Sequence, residues 1–270
     1  MSILTEIAYA KINLALHVRK RRDDCYHELE TLFAFADTGD VLTAEPAPDL
    51  SLTIDGPFAK GLTTGGDNLV LRAALAMCSK GQGAHIRLQK NLPIASGIGG
   101  GSADAAAALR LLKRLWRSDT ELLPIATALG ADVPACLYSQ TVFGEGVGEI
   151  LQPWHNEGIA KTPILLVNPG VSCPTGPVFG VWDGKDHGAL NPNDWMRARN
   201  DLQEPALTLV PEIKTVLAAL WDQPGHSLVR MSGSGATCFA LYDTISSRDA
   251  ACAIIKSRHP DWWTMAAFLR

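Results

Sequence analysis

Residues 93–112 read PIASGIGGGSADAAAALRLL. Four glycines, Gly97, Gly99, Gly100 and Gly101, fall within five positions, and an alanine-rich run follows at once. Glycine lets backbone N–H groups turn toward a ligand with no Cβ in the way, and alanine is the strongest helix former. The first turn of a helix leaves four N–H groups without an intrahelical partner and carries the positive end of the helix dipole. Loop and helix together therefore make an anion site. The plainer reading is a tight turn with Ser102 as the N-cap of a helix over about 102–116. One or two glycines satisfy a turn, and four exceed that need, so the stretch is read as a phosphate cradle.

Two common phosphate sites are disfavoured. The P-loop requires a Lys and then Ser or Thr after its last glycine, whereas here the residues are Gly101-Ser102-Ala103-Asp104. The dinucleotide pattern G-x-G-x-x-G fits Gly97 and Gly99 and fails at Ser102. A dinucleotide loop would also open a doubly wound sheet, and this one lies mid-chain after several strands.

Outward from the stretch, mixed elements are predicted in both halves. AHIRLQK, just before it, alternates as a strand. NLVLRAALAMCSKG has helical spacing, with Asn68 or Asp67 as N-cap and Gly81 as stop. Nearer the N-terminus, Ile12, Leu14, Leu16 and Val18 alternate with Lys11, Asn13, Ala15 and His17, which is a strand whose second face is largely polar. ELETLFAFA and DLSLTI read as further strands. After the stretch, DTELLPIATALG is a helix ending at Gly130. The pattern loosens over 144–162, which places a domain boundary there: 1–152 and 153–270. PILLVNPG is a buried strand, 200–220 is helical, and SLVRMSGSGATCFALYD is strand, glycine turn, strand. A helix over about 247–256 and a short strand close the chain. The order argues for α+β rather than an all-parallel fold.

Bulk composition narrows the function classes. With 47% hydrophobic and 19% charged residues in 270, the chain has ample core, and a net charge of −4 gives no general attraction to nucleic acid. The basic run Arg19-Lys20-Arg21-Arg22 is followed by Asp23 and Asp24 and reads as a solvated turn. The six cysteines form no C-x-x-C pair, which fits buried thiols in a reducing cytosol rather than zinc or redox chemistry. Ala8-Tyr9-Ala10 has the look of a signal cleavage site, but Glu6 interrupts the apolar stretch and no positive segment precedes it. No run of about 18 apolar residues occurs. A cytoplasmic protein is expected.

The segment Pro93-Ile94-Ala95-Ser96-Gly97-Ile98-Gly99-Gly100-Gly101-Ser102 resembles the central motif of the GHMP small-molecule kinases (galactokinase, homoserine, mevalonate and phosphomevalonate kinases). Ala10-Lys11-Ile12-Asn13-Leu14 and Met231-Ser232-Gly233-Ser234-Gly235-Ala236 resemble that family's other motifs, in the right order across most of the chain. AKINLAL, CYHELET, DNLVLRA, GADVP and CPTGPVF are together similar to the branch that acts on a cytidine-diphosphate-linked methylerythritol. The resemblance implies a two-domain α+β fold. The first domain would be like the second domain of ribosomal protein S5, the second would be ferredoxin-like, and the active site would lie in the cleft between them. It implies transfer of the ATP γ-phosphoryl group to the acceptor's 2-hydroxyl, with Mg²⁺, in non-mevalonate isoprenoid synthesis.

Site roles follow from the same resemblance. Asp132 would accept the hydroxyl proton and Lys11 would polarise that hydroxyl; local sequence alone favours Asp132 as a helix N-cap. Asn68, the stretch from Pro93 to Ser102 and Ala103 would bind ATP. Asn13, Tyr26, His27, Thr175 and Phe179 would bind the acceptor, Tyr26 by stacking and His27 by hydrogen bonding. Ser232, Gly233, Ser234 and Gly235, a hairpin turn by local sequence, would close over the phosphates. No metal ligand is assigned. The chain departs from the family at Cys25, where glycine is usual before Tyr-His, and at Ala103, where many relatives have a second serine. If position 25 needs a positive φ, cysteine strains the turn. Three other readings stay open. A homoserine- or mevalonate-type acceptor is opposed by Tyr26-His27 and a short C-terminal domain. A nucleotide-dependent oxidoreductase is opposed by the missing sixth glycine. A non-catalytic nucleotide-binding module is opposed by the presence of both Lys11 and Asp132.

Overall fold

The alternating segment at 12–18 is the middle of a long strand, β1 (Leu4–Arg21), which runs into β2 (His27–Pro46). These assignments come from a computed structural model that describes residues 3–79, 81–155 and 158–270. Lys80 of the predicted first helix, and Asn156 and Glu157 of the loosened stretch, lie outside the described residues. The remaining strands are β3 (Leu50–Asp55), β4 (Ala84–Gln89), β5 (Val142–Glu145), β6 (Ile150–Pro153), β7 (Pro163–Asn168), β8 (His226–Met231), β9 (Cys238–Tyr242) and β10 (Trp263–Phe268). The helices are α1 (Leu69–Met77), α2 (Gly100–Leu115), α3 (Leu122–Leu129), α4 (Val133–Tyr138), α5 (Thr175–Gly180), α6 (Gln203–Leu209), α7 (Glu212–Trp221) and α8 (Ile245–Arg258).

The chain divides into two units that interleave in sequence. One comprises Met1–Ala10, Thr38–Ile94 and Gly99–Ser139; the other comprises Lys11–Asp37, Ala95–Ile98 and Gln140–Arg270. In the first unit, the later part of β2 pairs antiparallel with β4 (Val41 opposite Gln89), and β3 pairs parallel with β4 (Leu50 opposite Ala84). Helix α2 packs on α1 and α4. Its residues Ala103, Ala105, Ala106, Ala107 and Ala108 are all buried, as are Leu109, Leu111 and Leu112. A helix buried on every side has to be narrow to let neighbours approach, and the alanine run supplies that.

In the second unit, the early part of β2 pairs with β5 (Thr31 opposite Gly144), and β5 with β6. A separate antiparallel sheet has the order β10-β7-β9-β8. With α6 and α7 between β7 and β8, and α8 between β9 and β10, this is the split β-α-β arrangement of ferredoxin-like domains. Its core includes Leu165, Val167, Ile213, Val216, Met231, Ala240 and Ile255. Each fully buried Val, Leu, Ile or Met side chain among these contributes about 1.5–3 kcal/mol.

Several sequence expectations shift. Helix α2 begins at Gly100, because Gly99 adopts a left-handed conformation (φ 62°) and takes the cap position, so Ser102 is not the N-cap. Helix α1 ends at Met77, before extended Cys78, rather than at Gly81. The helical stretch 200–220 is two helices, with Pro211 at the break. Strands β5 and β6 and helices α4 and α5 are too short for periodicity to reveal. The polar face of β1 is buried: Lys11, Asn13 and His17 are 4%, 2% and 3% exposed. The basic run after it is at the surface, with Arg19 3.0 Å from Asp186, Lys20 3.0 Å from Glu28 and Arg22 2.8 Å from Asp24.

Candidate active site

The glycine stretch meets the other two motifs through its backbone carbonyls. Thr237 N–H donates to the Ser96 carbonyl (3.1 Å), and Ser232 Oγ donates to that of Gly97 (3.0 Å). Lys11 N–H donates to that of Ile98 (3.0 Å). Ser232 Oγ in turn accepts from Asn13 N–H at 3.1 Å. One buried hydroxyl therefore ties β1, the glycine stretch and the β8–β9 turn together. The predicted hairpin is present: β8 and β9 pair antiparallel on either side of Ser232–Gly235. Within the turn, Gly235 N–H bonds the Ser232 carbonyl (3.0 Å), and Ser234 Oγ lies 2.9 Å from Thr175 Oγ1.

Each glycine has its own reason. A Cβ on Gly97 (φ +76°) would lie 2.4 Å from the Ser232 carbonyl oxygen and 2.7 Å from that of Gly235. Gly99 needs its positive φ to start the helix. A Cβ on Gly100 would come within 3.0 Å of Lys90 Nζ. The fold itself thus accounts for three glycines. Gly101 differs: it is exposed, and a Cβ there would meet only Leu69 Cδ1, at 3.6 Å. The first intrahelical bond of α2 runs from Ala103 N–H to the Gly99 carbonyl (2.8 Å), so the N–H groups of Gly100, Gly101 and Ser102 have no intrahelical partner. That set can hold an anion.

Along β1, Lys11 Nζ donates to Asn13 Oδ1 (3.0 Å) and sits 5.0 Å from the Phe33 ring centroid. Asn13 Nδ2 donates to Thr31 Oγ1 (2.8 Å), which donates to the Ala15 carbonyl (2.7 Å). This chain of bonds fixes the ammonium in a dry, polarised setting. Asp132 stands at the N-cap position of α4, yet its side chain makes no capping bond. The local reading of Asp132 as a cap is therefore not what the carboxylate does. Asn68 does cap: its Oδ1 accepts from Val70 N–H (2.9 Å), and its Nδ2 donates to the Thr63 carbonyl (2.8 Å).

His27 stacks on Phe179, with centroids 4.7 Å apart, and meets Trp182 edge-on at 5.6 Å. Burial, with Arg21 nearby, lowers its pKa, so the ring is neutral near pH 7. Tyr26 is 63% exposed, with its ring free of the core. Cys25 has φ 68°, so the turn does need the conformation that glycine accepts and cysteine resists. Arg22 N–H bonds the Tyr26 carbonyl (2.8 Å) and closes that turn.

Sequence reasoning missed Thr31, Trp182 and Asn200. Asn200 Nδ2 donates to the carbonyls of Met231 and Gly233, both at 2.8 Å, and supports the glycine turn. These side chains act through fold neighbours far away in sequence, and no local pattern marks them. Lys90 was also missed, though, just past the end of β4, it continues the buried alternation of Leu88 and Leu92, and that alternation was available. Among the described residues, no group of three or more His, Cys, Asp or Glu side chains is gathered for a metal ion.

Known proteins match the chain along nearly its whole length. Residues 68–140 match the family described as GHMP kinases N terminal domain, and residues 185–261 match GHMP kinases C terminal. The 4-diphosphocytidyl-2-C-methyl-D-erythritol kinase of Rhizorhabdus wittichii is 53% identical, over 98% of this chain and 94% of that protein. Its counterpart in Novosphingobium aromaticivorans is also 53% identical, over 99% and 93%. A crystal structure of 4-(cytidine 5'-diphospho)-2C-methyl-D-erythritol kinase superposes with a TM-score of 0.85 at 33% identity, covering 98% of this chain and 99% of that one. The two-domain α+β architecture, the three joined motifs and these matches lead to one conclusion: the chain belongs to the GHMP kinases.

Proposed function

We infer that the chain is an ATP-dependent kinase that phosphorylates the 2-hydroxyl of 4-diphosphocytidyl-2-C-methyl-D-erythritol, a step of non-mevalonate isoprenoid precursor synthesis. The observation that carries this is 53% identity over 98% of the chain to a kinase named for that acceptor. The test is a coupled ATPase assay with the cytidine-linked acceptor, homoserine and mevalonate side by side. Turnover is expected with the first alone, and turnover with either of the others in its place would overturn the reading.

Phosphoryl transfer asks a protein mainly for positioning and charge neutralisation. The proposed roles follow the family motifs. The N–H groups at the start of α2 take phosphate oxygens, and Pro93 to Ala103, with Asn68, form the ATP side. Lys11, steered by Asn13, polarises the acceptor hydroxyl, and Asp132 accepts its proton. The neutral His27 ring, stacked on Phe179, offers its nitrogens to the cytosine edge, and exposed Tyr26 is available to stack on the base. Asn13 and Thr175 complete the acceptor side, with Ser232 to Gly235 closing over the phosphates. The Ser102 hydroxyl, on the first turn of α2, is the oxygen the chain would offer to an Mg²⁺ arriving with the nucleotide, which would supply charge neutralisation at the phosphates.

The boundary between domains is proposed at 152/153, with the ATP-binding domain first; the two family matches at 68–140 and 185–261 fall on either side of it. The protein is proposed to work in the cytoplasm on small molecules alone. Among the described residues, no helix is long and apolar enough to cross a membrane, and the net charge is −4.

A further inference from the structure

A buried charge cluster lies behind the glycine stretch, among groups to which the mechanism assigns no role. Lys90, at the exit of β4, is 2% exposed, Asp40 on β2 is 0% and Asp104 on α2 is 3%. Lys90 Nζ donates to an Asp40 oxygen and, at 2.7 Å, to Asp104 Oδ2. The other Asp40 oxygen accepts the N–H groups of Asn91 (2.5 Å) and Leu92 (2.8 Å), and Asn91 Nδ2 returns a bond to the Gly39 carbonyl (3.1 Å). Asp40 thus holds the three residues that lead into Pro93, and Lys90 reaches from them to the first turns of α2. The ammonium lies 3.0 Å from where a Gly100 Cβ would stand, so the backbone that begins α2 rests directly on it.

Stability is a poor explanation for this arrangement. Buried ion pairs often contribute no more than apolar residues of the same size, and their attested use is to fix one register. The cluster carries two carboxylates on one ammonium, and Asp104 Oδ1 is buried without a hydrogen-bond partner. Burial pushes the Asp104 carboxyl up, Lys90 opposes this and Asp40 adds to it, to about 8. For Lys90, burial pulls the pKa down, but Asp104 and then Asp40 outweigh it and raise it, so the ammonium stays charged.

We propose that Lys90, held by Asp40 and Asp104, is a positioning residue for ATP: it sets where the first turn of α2 presents its N–H groups to the phosphates. The proposal rests on the reading of that turn as the phosphate site. It assigns Lys90 no contact with the nucleotide.

The test uses the full chain and steady-state kinetics with both substrates varied. Wild-type turnover and ATP binding are measured first, and their absence would sink the functional reading rather than this one. The double variant Lys90→Met/Asp104→Leu removes the buried pair together and leaves Asp40 its two backbone donors. With a wild-type near-ultraviolet spectrum, it should show an ATP KM at least about tenfold higher, with acceptor KM and saturated kcat within about twofold. Asp104→Asn keeps the shape and an acceptor for Lys90, and should restore the ATP KM to within about threefold of wild type. Should the double variant not fold, Lys90→Arg decides the matter. It keeps the buried charge but sets a wider head group against the start of α2, and should raise the ATP KM while acceptor KM and kcat stay within about twofold. An unchanged ATP KM in a folded variant, or an equal loss in both KM values and kcat, overturns the proposal.

Discussion

Replacing Gly101 with alanine separates the need of the fold from the need of a ligand. Gly101 is the second residue of α2, exposed, and without a positive φ. An added Cβ finds only Leu69 Cδ1, at 3.6 Å, which is ordinary contact. The folded protein therefore loses nothing. Alanine is favoured over glycine inside a helix by about 0.5–1 kcal/mol, and near an end the lower figure applies. At roughly 2–4 °C per kcal/mol for a chain of this size class, the melting temperature should hold or rise by about 1–2 °C. ATP should respond in the opposite sense. If phosphate oxygens sit about 3 Å from these N–H groups, a methyl at their centre displaces them by several tenths of an ångström or more. Misplacement on that scale costs up to about a hundredfold. An ATP KM raised about 10–100-fold corresponds to about 1.4–2.7 kcal/mol, with the acceptor KM unchanged. The assays are steady-state phosphate transfer and a thermal melt on the same preparation. A Gly101→Ala protein that melts at or above wild type and keeps its ATP KM within twofold would refute the phosphate cradle. The glycines would then serve the turn alone.

The remaining tests address the acceptor side, the catalytic pair and the buried cluster. Lys11→Ala and Asp132→Asn should each lower kcat by about 10²–10⁴-fold while ATP binding by titration stays within a few-fold; near-normal turnover in either would remove that residue from the chemistry. Cys25 holds φ 68°, which costs a non-glycine residue about 1–2 kcal/mol; Cys25→Gly gives back part of that as unfolded-chain entropy and should still stabilise by about 0.5–1 kcal/mol, read as a higher melting temperature. A lower one would show that the turn is not strained. The Asp104 carboxyl, raised to about 8 in the fold from 3.8, binds its proton more tightly folded than unfolded. Its contribution to stability is full below about pH 4 and is lost as pH rises toward 8. Asp104→Asn lacks that loss, so its melting temperature should gain on wild type between pH 5 and 8.5, and parallel curves would contradict the assignment.

The order of most elements was legible because it depends on near neighbours in the chain. Period-two alternation marked β1 and β4, and the glycine turn at Ser232–Gly235 marked the two strands it separates. Helical spacing marked α1, α2 and α3, and Gly130 marked the end of α3. Motifs named Lys11, the glycine stretch and Asp132 through family resemblance. What escaped depends on distant parts of the chain. The polar face of β1 reads as solvent-facing until Thr31, Phe33 and Ser232 cover it. A cap at Ser102 is the natural reading until Gly99 turns left-handed and the helix starts earlier. Lys90 looks like an ordinary strand-end lysine, although its place between Leu88 and Leu92 is a sign of burial.

The sequence by itself determined that a glycine loop runs into a narrow alanine helix and which family motifs surround it, because backbone permissiveness, helix propensity and motif order are local properties. Tertiary structure alone decided what each glycine is for. Gly97 makes room for the turn at Ser232–Gly235, Gly99 supplies the left-handed cap, Gly100 leaves space for the Lys90 ammonium, and Gly101 stays open on its outer side. Steric exclusion by groups more than a hundred residues away, and by a charge buried behind the loop, cannot be read from the loop itself. Those contacts separate the three glycines the fold requires from the one it leaves free.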